Sequence, residues 1–97
     1  MRGVLQVPRE VQTLVKAFYP RSEDRYATPE EWIAGTLANF FNNDEREVIR
    51  RFLDELLSVR YSDEEIQEVW QRQYPSYDFS AGGHRVFFTM IREALGP

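Results

Sequence analysis

The chain has 97 residues, of which 42% are hydrophobic and 14% aromatic, and its formal net charge at pH 7 is −4. This length and composition predict one domain with a single hydrophobic core and exclude a disordered chain. The absence of cysteine excludes disulfides, thiolate metal sites and a cysteine nucleophile, and it fits a reducing compartment.

Two amphipathic helices are predicted in the first half of the chain. The first follows Pro8, is stopped by Pro20, and carries an apolar stripe at helical spacing: Val11, Leu14, Val15 and Phe18. The second runs from Pro29 to about Asn42 and has a broad apolar face: Trp32, Ile33, Leu37, Phe40 and Phe41. Gly35 either allows a close contact with a neighbouring helix or costs about 1 kcal/mol of helix propensity.

Three further helices are predicted in the second half. The third runs from about Asp44 to Arg60 and follows a turn and cap at Asn42-Asn43-Asp44. It has the clearest apolar pattern of the chain: Val48, Ile49, Phe52, Leu53, Leu56 and Leu57. We therefore expect it at the centre of the core. The fourth starts at Ser62, directs Ile66, Val69 and Trp70 inward, and ends before Pro75. After a loop from Tyr74 to Gly83, the fifth begins near His84 and ends at Gly96-Pro97, with an apolar face formed by Val86, Phe87, Met90, Ile91 and Leu95.

The predicted fold is therefore all-α, a single-domain bundle of about five short helices that spans residues 1–97. Residues 1–9 could form a loose N-terminal arm. The first seven residues lack the apolar run of a signal peptide, and no stretch reaches the roughly 20 apolar residues that a membrane span needs. We therefore expect a cytoplasmic protein.

Two matching helix starts, Thr28-Pro29-Glu30-Glu31 and Ser62-Asp63-Glu64-Glu65, enclose most of the excess negative charge. In each motif the first hydroxyl can accept a hydrogen bond from the backbone N–H three residues on, while the Glu at that position reaches back. Residues 29–68 hold eleven Asp or Glu and four Arg, whereas residues 1–28 and 69–97 carry net charges of +2 and +1. The acidic middle of the chain is thus the main physical clue to function.

The sequence offers little for catalysis, and we expect no enzyme activity, no metal and no cofactor. His84 is the only histidine and follows Gly82-Gly83, where a structural role such as a helix cap is favoured over a ligand or a general base. The acidic runs lack the alternating oxygen ligands and central glycine of a calcium loop, and capping accounts for most of them. Gly82-Gly83 lacks the Lys-Ser/Thr of a phosphate-binding loop.

The charge distribution also argues against nucleic acid and membranes as partners. A sequence pI near 5.0 provides no basic face for phosphates, and a recognition helix starting at Asp63 would bring carboxylates towards them. The predicted third helix mixes arginines with acidic residues instead of presenting a basic polar face to a membrane. An acidic surface suits a basic protein partner, although the same charge could simply keep a small domain soluble.

From Leu14 to Leu95 the order of elements resembles the immunity proteins of bacterial contact-dependent growth inhibition systems, which are small helical proteins that neutralise a toxin domain. The resemblance lies in the order and spacing of these segments: Phe18-Tyr19, Glu23-Asp24-Arg25-Tyr26, Thr28-Pro29-Glu30-Glu31, Phe40, Leu53-Asp54-Glu55-Leu56-Leu57, Ser62-Asp63-Glu64-Glu65-Ile66 and Tyr77. It implies a protein that binds a cognate toxin domain in the cytosol and blocks the toxin's active site or substrate cleft.

On this interpretation the partner-binding residues form two exposed groups. The first surrounds the second helix start, and the second lies at the fourth helix start and in the turn that follows that helix: Glu23, Asp24, Tyr26, Glu30 and Glu31, then Asp63, Glu64, Tyr74, Tyr77 and Asp78. Each has a structural alternative, since the glutamates could only cap helices and the tyrosines could only cover the core.

Two other classes of protein remain open at this point. One is a small acidic adaptor or regulatory domain with an endogenous protein partner, and the other is a catalyst built on carboxylates and His84. The oligomeric state is also open. A monomer is compatible with the sequence, and so is a dimer in which one ring of Phe40-Phe41 and one ring of Phe87-Phe88 are buried between subunits.

Overall fold

The computed structural model describes residues 6–80 and 82–96. These form five α-helices and one short 3-10 helix, Ser22–Arg25, with no strand among the described residues: α1 (Arg9–Ala17), α2 (Pro29–Phe40), α3 (Asn43–Leu56), α4 (Asp63–Gln71) and α5 (Gly83–Ala94). The predicted all-α bundle is confirmed. Of the N-terminal arm, residues 1–5 lie outside the described residues, as does Pro97 of the predicted stop signal at the C-terminus.

The starts of α3 and α4 are fixed by reciprocal capping. The side chains of Asn42 and Ser62 accept hydrogen bonds from the backbone N–H groups of Glu45 (2.8 Å) and Glu65 (3.2 Å). Each glutamate returns a bond to the backbone N–H of its cap residue, at 2.8 Å in both cases. The predicted cap at Ser62 is confirmed, and the acidic first turns complement the helix dipole.

The predicted ends of two helices are wrong. α2 ends at Phe40 instead of Asn42, because Asn42 is needed outside the helix as the cap of α3. α3 ends at Leu56 instead of Arg60, and the chain leaves it through a turn in which Val59 is fully exposed. Because the Val59 side chain is not buried against the core, packing does not hold residues 58–60 in the helix.

α5, and not α3, is the central helix of the bundle. It packs against α2, α3 and α4, whereas α3 packs against α1 and α5. Phe87 of α5 lies in an aromatic cluster, 4.9 Å from Phe18 and 5.7 Å from Trp70 between ring centroids, with both pairs edge to face. Such pairs add roughly 0.5–1.5 kcal/mol each beyond the area they bury.

Two residues assigned to apolar faces are instead exposed. Phe40 is 55% exposed at the end of α2, and Val86 is 60% exposed on α5. Phe88, which the predicted face omitted, is fully buried, and Phe87 is also buried. The core of one chain already buries both Phe87 and Phe88. Neither ring is therefore free for the contact between subunits that the dimer alternative requires.

Within the described residues, no helix combines the length and apolarity required to cross a bilayer.

Candidate functional site

A groove of about 270 Å³ opens between the 3-10 helix, the start of α2 and the loop that joins α4 to α5. We call it the acidic aromatic groove, and it is lined by Glu23, Tyr26, Ala27, Thr28, Pro29, Trp32 and Tyr77. Three predicted partner-binding residues, Glu23, Tyr26 and Tyr77, thus meet at one place although they come from separate segments. They are half-buried, not exposed as expected, because they form its walls.

Trp32 forms the floor of the groove and connects it to the core. Its side chain is 4% exposed, and its indole N–H donates to Ser22 Oγ at 2.9 Å. Ser22 is also buried, and its hydroxyl donates to the Tyr19 carbonyl at 2.6 Å. This chain of hydrogen bonds holds the 3-10 helix, which carries Glu23, against α2.

The capped start of α2 forms a second side of the groove. The hydroxyl of Thr28 accepts a hydrogen bond from the Glu31 N–H at 3.1 Å, as predicted. The Glu31 carboxylate, however, accepts from the Ala27 N–H at 3.3 Å, one residue before the expected position. Because Ala27 lines the groove, this bond fixes the backbone at its rim.

Tyr26 forms a wall that depends on Gly35. A Cβ atom placed at Gly35 would lie 2.5 Å from the Tyr26 hydroxyl and 2.7 Å from ring atom Cζ. Such distances are far below van der Waals contact, so only glycine leaves room for the ring against α2. The two alternatives for Gly35 are thereby decided in favour of a close contact, although the contact is with the tyrosine and not with another helix.

The Gly35→Ala substitution should have opposite effects on stability in two backgrounds. In the natural sequence it displaces the Tyr26 ring, so we expect a lower free energy of unfolding. In a Tyr26→Ala background the clash is gone, and the greater helix propensity of alanine should raise that free energy by up to about 1 kcal/mol. Urea denaturation of the four proteins measures the coupling. The same change in both backgrounds would contradict the assigned contact.

Tyr77 forms the remaining wall and is attached to the core through Trp70. The Trp70 indole N–H donates to the Tyr77 carbonyl at 2.8 Å, and Trp70 itself is fully buried. The Tyr77 ring lies edge to face with Trp32 at 5.4 Å between centroids. Both tryptophans of the chain therefore position this loop residue.

The side chain of Asp78, the next residue, forms hydrogen bonds with other residues of this chain. Its Oδ1 atom lies 2.6 Å from Nε2 of His84 and accepts from the Phe79 N–H at 2.9 Å, while Oδ2 accepts from Gln71 at 3.0 Å. Partial burial acts to raise the pKa of Asp78, whereas these hydrogen bonds act to lower it. The hydrogen bonds outweigh burial, so the pKa of Asp78 lies below its usual value.

His84 is buried, and it is not a helix cap. Gly82 occupies the N-cap position of α5, and the His84 side chain is 1% exposed. Its ring meets Phe79 edge-on at 5.5 Å, and its Nδ1 atom is buried without a hydrogen-bond partner. The sequence offered no signal for the bond to Asp78, which spans six residues of irregular loop.

The other predicted partner-binding residues divide between the groove and distant positions. Asp24, Glu30 and Glu31 are exposed on the elements that build the groove. Asp63 and Glu64 lie at the start of α4, about 12 Å along the helix axis from its end near the groove loop. Asp63 pairs with Arg85 of α5, so this carboxylate is partly neutralised.

Tyr74 is unusual in both exposure and backbone conformation. Its side chain is 86% exposed, and its φ angle of 54° lies in the left-handed region. This conformation is unfavourable for a bulky residue, and an exposed ring gains nothing from the core. Folding alone therefore gives no reason for tyrosine at this position.

A second cavity, of about 310 Å³, lies between α2, α3 and the end of α5 and is lined partly by Arg46, Glu47 and Arg50. These charged groups bind one another or the backbone: Arg46 donates to the Leu37 carbonyl, and Arg50 pairs with Glu47. Hydrogen bonds from Arg50 and Arg51 lower the pKa of Glu47 to about 2. With its charges already paired, this cavity is the weaker candidate.

Among the described residues, no group of three or more His, Asp or Glu side chains could hold a metal ion. A scan against protein-family models and searches of curated proteins and of solved structures found no match. The geometry of the acidic aromatic groove is therefore the main structural basis for an assignment of function.

Proposed function

We propose that this protein is an immunity protein, which binds a cognate bacterial toxin domain in the cytoplasm and neutralises it by covering the toxin's active site. It acts by occlusion and performs no chemistry of its own. The sequence resemblance to immunity proteins of contact-dependent growth inhibition systems supplies this hypothesis. The structure supports it through one observation, the convergence of Glu23, Tyr26 and Tyr77 in a single groove.

The composition of the groove suits recognition of a basic protein surface. Aromatic residues and exact fit at the centre of an interface contribute most of the binding energy, while surrounding charges set orientation and association rate. Here tyrosines line the groove, and exposed carboxylates at Asp24, Glu30 and Glu31 surround it. The ring of Tyr74, three residues beyond the end of α4, is exposed and offers a further apolar surface to the partner.

The available area is sufficient for a stable complex. A standard interface takes about 800 Å² from each partner. The accessible surface of this protein is 6169 Å², so such an interface would cover roughly an eighth of it. One end of the bundle, centred on the groove, is therefore large enough to cover the active site of a small toxin domain.

Co-expression tests this proposal most directly. The protein is produced together with the C-terminal domain of a large secreted protein encoded beside it, and cell survival and copurification are scored. We expect rescue and a complex that weakens as salt rises, because the acidic residues contribute through screened attraction. The Tyr26→Ala variant should bind at least about 30-fold more weakly, as expected for an interface centre.

The matched control is Val59→Ala, since Val59 is fully exposed and lies outside the groove. Its affinity should not change. Neither rescue nor copurification would contradict the immunity function and favour the adaptor, whose partner would be an endogenous protein. Rescue with equal affinity of the Tyr26→Ala and natural proteins would retain the function but move the interface away from the groove.

A further inference from the structure

The carboxylate of Glu23, in the acidic aromatic groove, lacks a hydrogen-bond partner at one of its oxygens. Its Oε2 atom is buried from solvent and has no hydrogen-bond partner. A buried carboxylate oxygen without a partner costs free energy, because water no longer solvates it and nothing replaces that water. The Glu23 side chain lines the groove, so a cation that enters there lies beside this carboxylate.

Among the described residues, no cationic side chain forms an ion pair with this carboxylate. Arg21 and Arg25 lie on the same turn, and both are exposed. Among the ion pairs of the described residues, neither arginine is joined to Glu23. By contrast, Arg50 beside the second cavity is paired with both Glu47 and Asp54. Within the described part of the chain, Glu23 is therefore a groove carboxylate without a positive partner.

The aromatic residues that line the groove favour one kind of cation over others. Tyr26, Trp32 and Tyr77 supply aromatic surface beside the carboxylate. A guanidinium group can stack on aromatic rings and donate two parallel hydrogen bonds to one carboxylate, whereas an ammonium group is a compact and strongly hydrated charge. At about 270 Å³ the groove is slightly smaller than typical drug-sized pockets, which suits one inserted side chain.

We infer that the acidic aromatic groove is a receptor for the guanidinium group of an arginine side chain, which pairs with the Glu23 carboxylate and lies against Tyr26 and Tyr77. The arginine is supplied by the protein partner. That identification of its source rests on the proposed function, whereas the guanidinium chemistry of the groove does not.

The test uses the full chain and Nα-acetyl-arginine amide at pH 7 and low salt. With ¹⁵N-labelled protein, the indole N–H signal of Trp32 reports on the groove floor, and only one other indole, that of Trp70, is present. We expect a saturable shift of the Trp32 signal. Nα-acetyl-citrulline amide has the same shape without the charge and should bind at least tenfold more weakly, and the lysine amide at least threefold more weakly.

Two neighbouring carboxylates provide matched variants. Glu23→Gln and Asp24→Asn remove the same charge from the same turn, but only Glu23 lines the groove. Glu23→Gln should lose at least tenfold in affinity for the arginine amide, while Asp24→Asn should lose less than twofold. Glu23→Gln should also unfold at an equal or higher temperature, because it removes a charge whose buried Oε2 atom has no hydrogen-bond partner.

Several results would overturn the inference: no saturable shift with the arginine amide, equal binding of the citrulline or lysine amide, or equal losses in the two variants. A lower unfolding temperature for Glu23→Gln would also overturn it, since the carboxylate would then serve the fold. These outcomes are independent of toxin neutralisation. Arginine binding without rescue from a toxin rejects only the immunity function, and rescue without arginine binding rejects only the guanidinium receptor.

Discussion

Trp70→Ala should lower the free energy of unfolding by about 3–5 kcal/mol, which is a large part of the stability of a domain of this size. The indole is fully buried, and its ring contacts Phe87 and Phe88 edge to face at 5.7 and 5.6 Å between centroids. Its N–H also holds the Tyr77 carbonyl at 2.8 Å. Urea denaturation followed by far-ultraviolet circular dichroism measures the change.

Two further variants separate packing from hydrogen bonding. Trp70→Phe keeps an aromatic ring in the core but leaves the Tyr77 carbonyl without its donor, so we expect an intermediate loss. Val59→Ala alters a fully exposed side chain and should change the free energy by less than about 0.5 kcal/mol. A loss below about 1 kcal/mol for Trp70→Ala would show that Trp70 is not part of a tightly packed core.

Asp78→Ala should reduce stability at pH 7 by about 1–2 kcal/mol, because it removes the hydrogen-bond partner of a buried histidine. His84 Nε2 lies 2.6 Å from the Asp78 carboxylate, and the ring is 1% exposed. The Asp78 side chain is itself 48% exposed, so solvent screens part of the interaction and the loss stays in the lower range.

This loss should depend on pH in a defined direction. The folded-state pKa of Asp78 lies below its ordinary value of 3.8, so the carboxylate stabilises the fold at pH values above 3.8. That stability disappears as the pH falls through the lower folded-state pKa. The difference between natural protein and Asp78→Ala should therefore shrink in acid, as urea titrations at pH 7 and pH 3 would reveal. A difference that grew towards pH 3 would contradict the assigned hydrogen bonds.

Local signals in the sequence are sufficient for the starts of α3 and α4. A hydroxyl or amide side chain followed three residues later by glutamate defines a cap without help from the rest of the fold, as at Asn42 and Ser62. The end of α3 had no such signal. An apolar period predicts where packing is available, but it does not show that residues 58–60 leave the helix once that packing ends.

The faces of α5 illustrate a second limit of prediction from the sequence. The predicted apolar face includes Val86 and omits Phe88, yet Val86 is exposed and Phe88 is fully buried. α5 packs against three helices, so almost its whole circumference is available for burial except one strip. Which strip of α5 stays exposed depends on the positions of those three helices, and the apolar periodicity of α5 does not give those positions.

The acidic aromatic groove was predicted only in part, for the same reason. Glu23 and Tyr26 were placed beside the start of α2, but Tyr77 is about 50 positions further along the chain, and only the tertiary fold brings it to them. Gly35 is a further signal in the sequence. A glycine inside an otherwise apolar helix costs stability, so Gly35 indicated that something bulky lies against that turn.

The loop between α4 and α5 has little regular structure, but it is not a loosely attached surface segment. Its Tyr77 carbonyl is held by the central tryptophan, and its Asp78 side chain is held by a buried histidine, so two consecutive residues are anchored to the interior. Local opening of this loop would have to break both anchors. Cleavage by a protease between Tyr77 and Asp78 should therefore require both anchors to open, whereas the turn that carries the fully exposed Val59 lacks comparable anchors at that side chain.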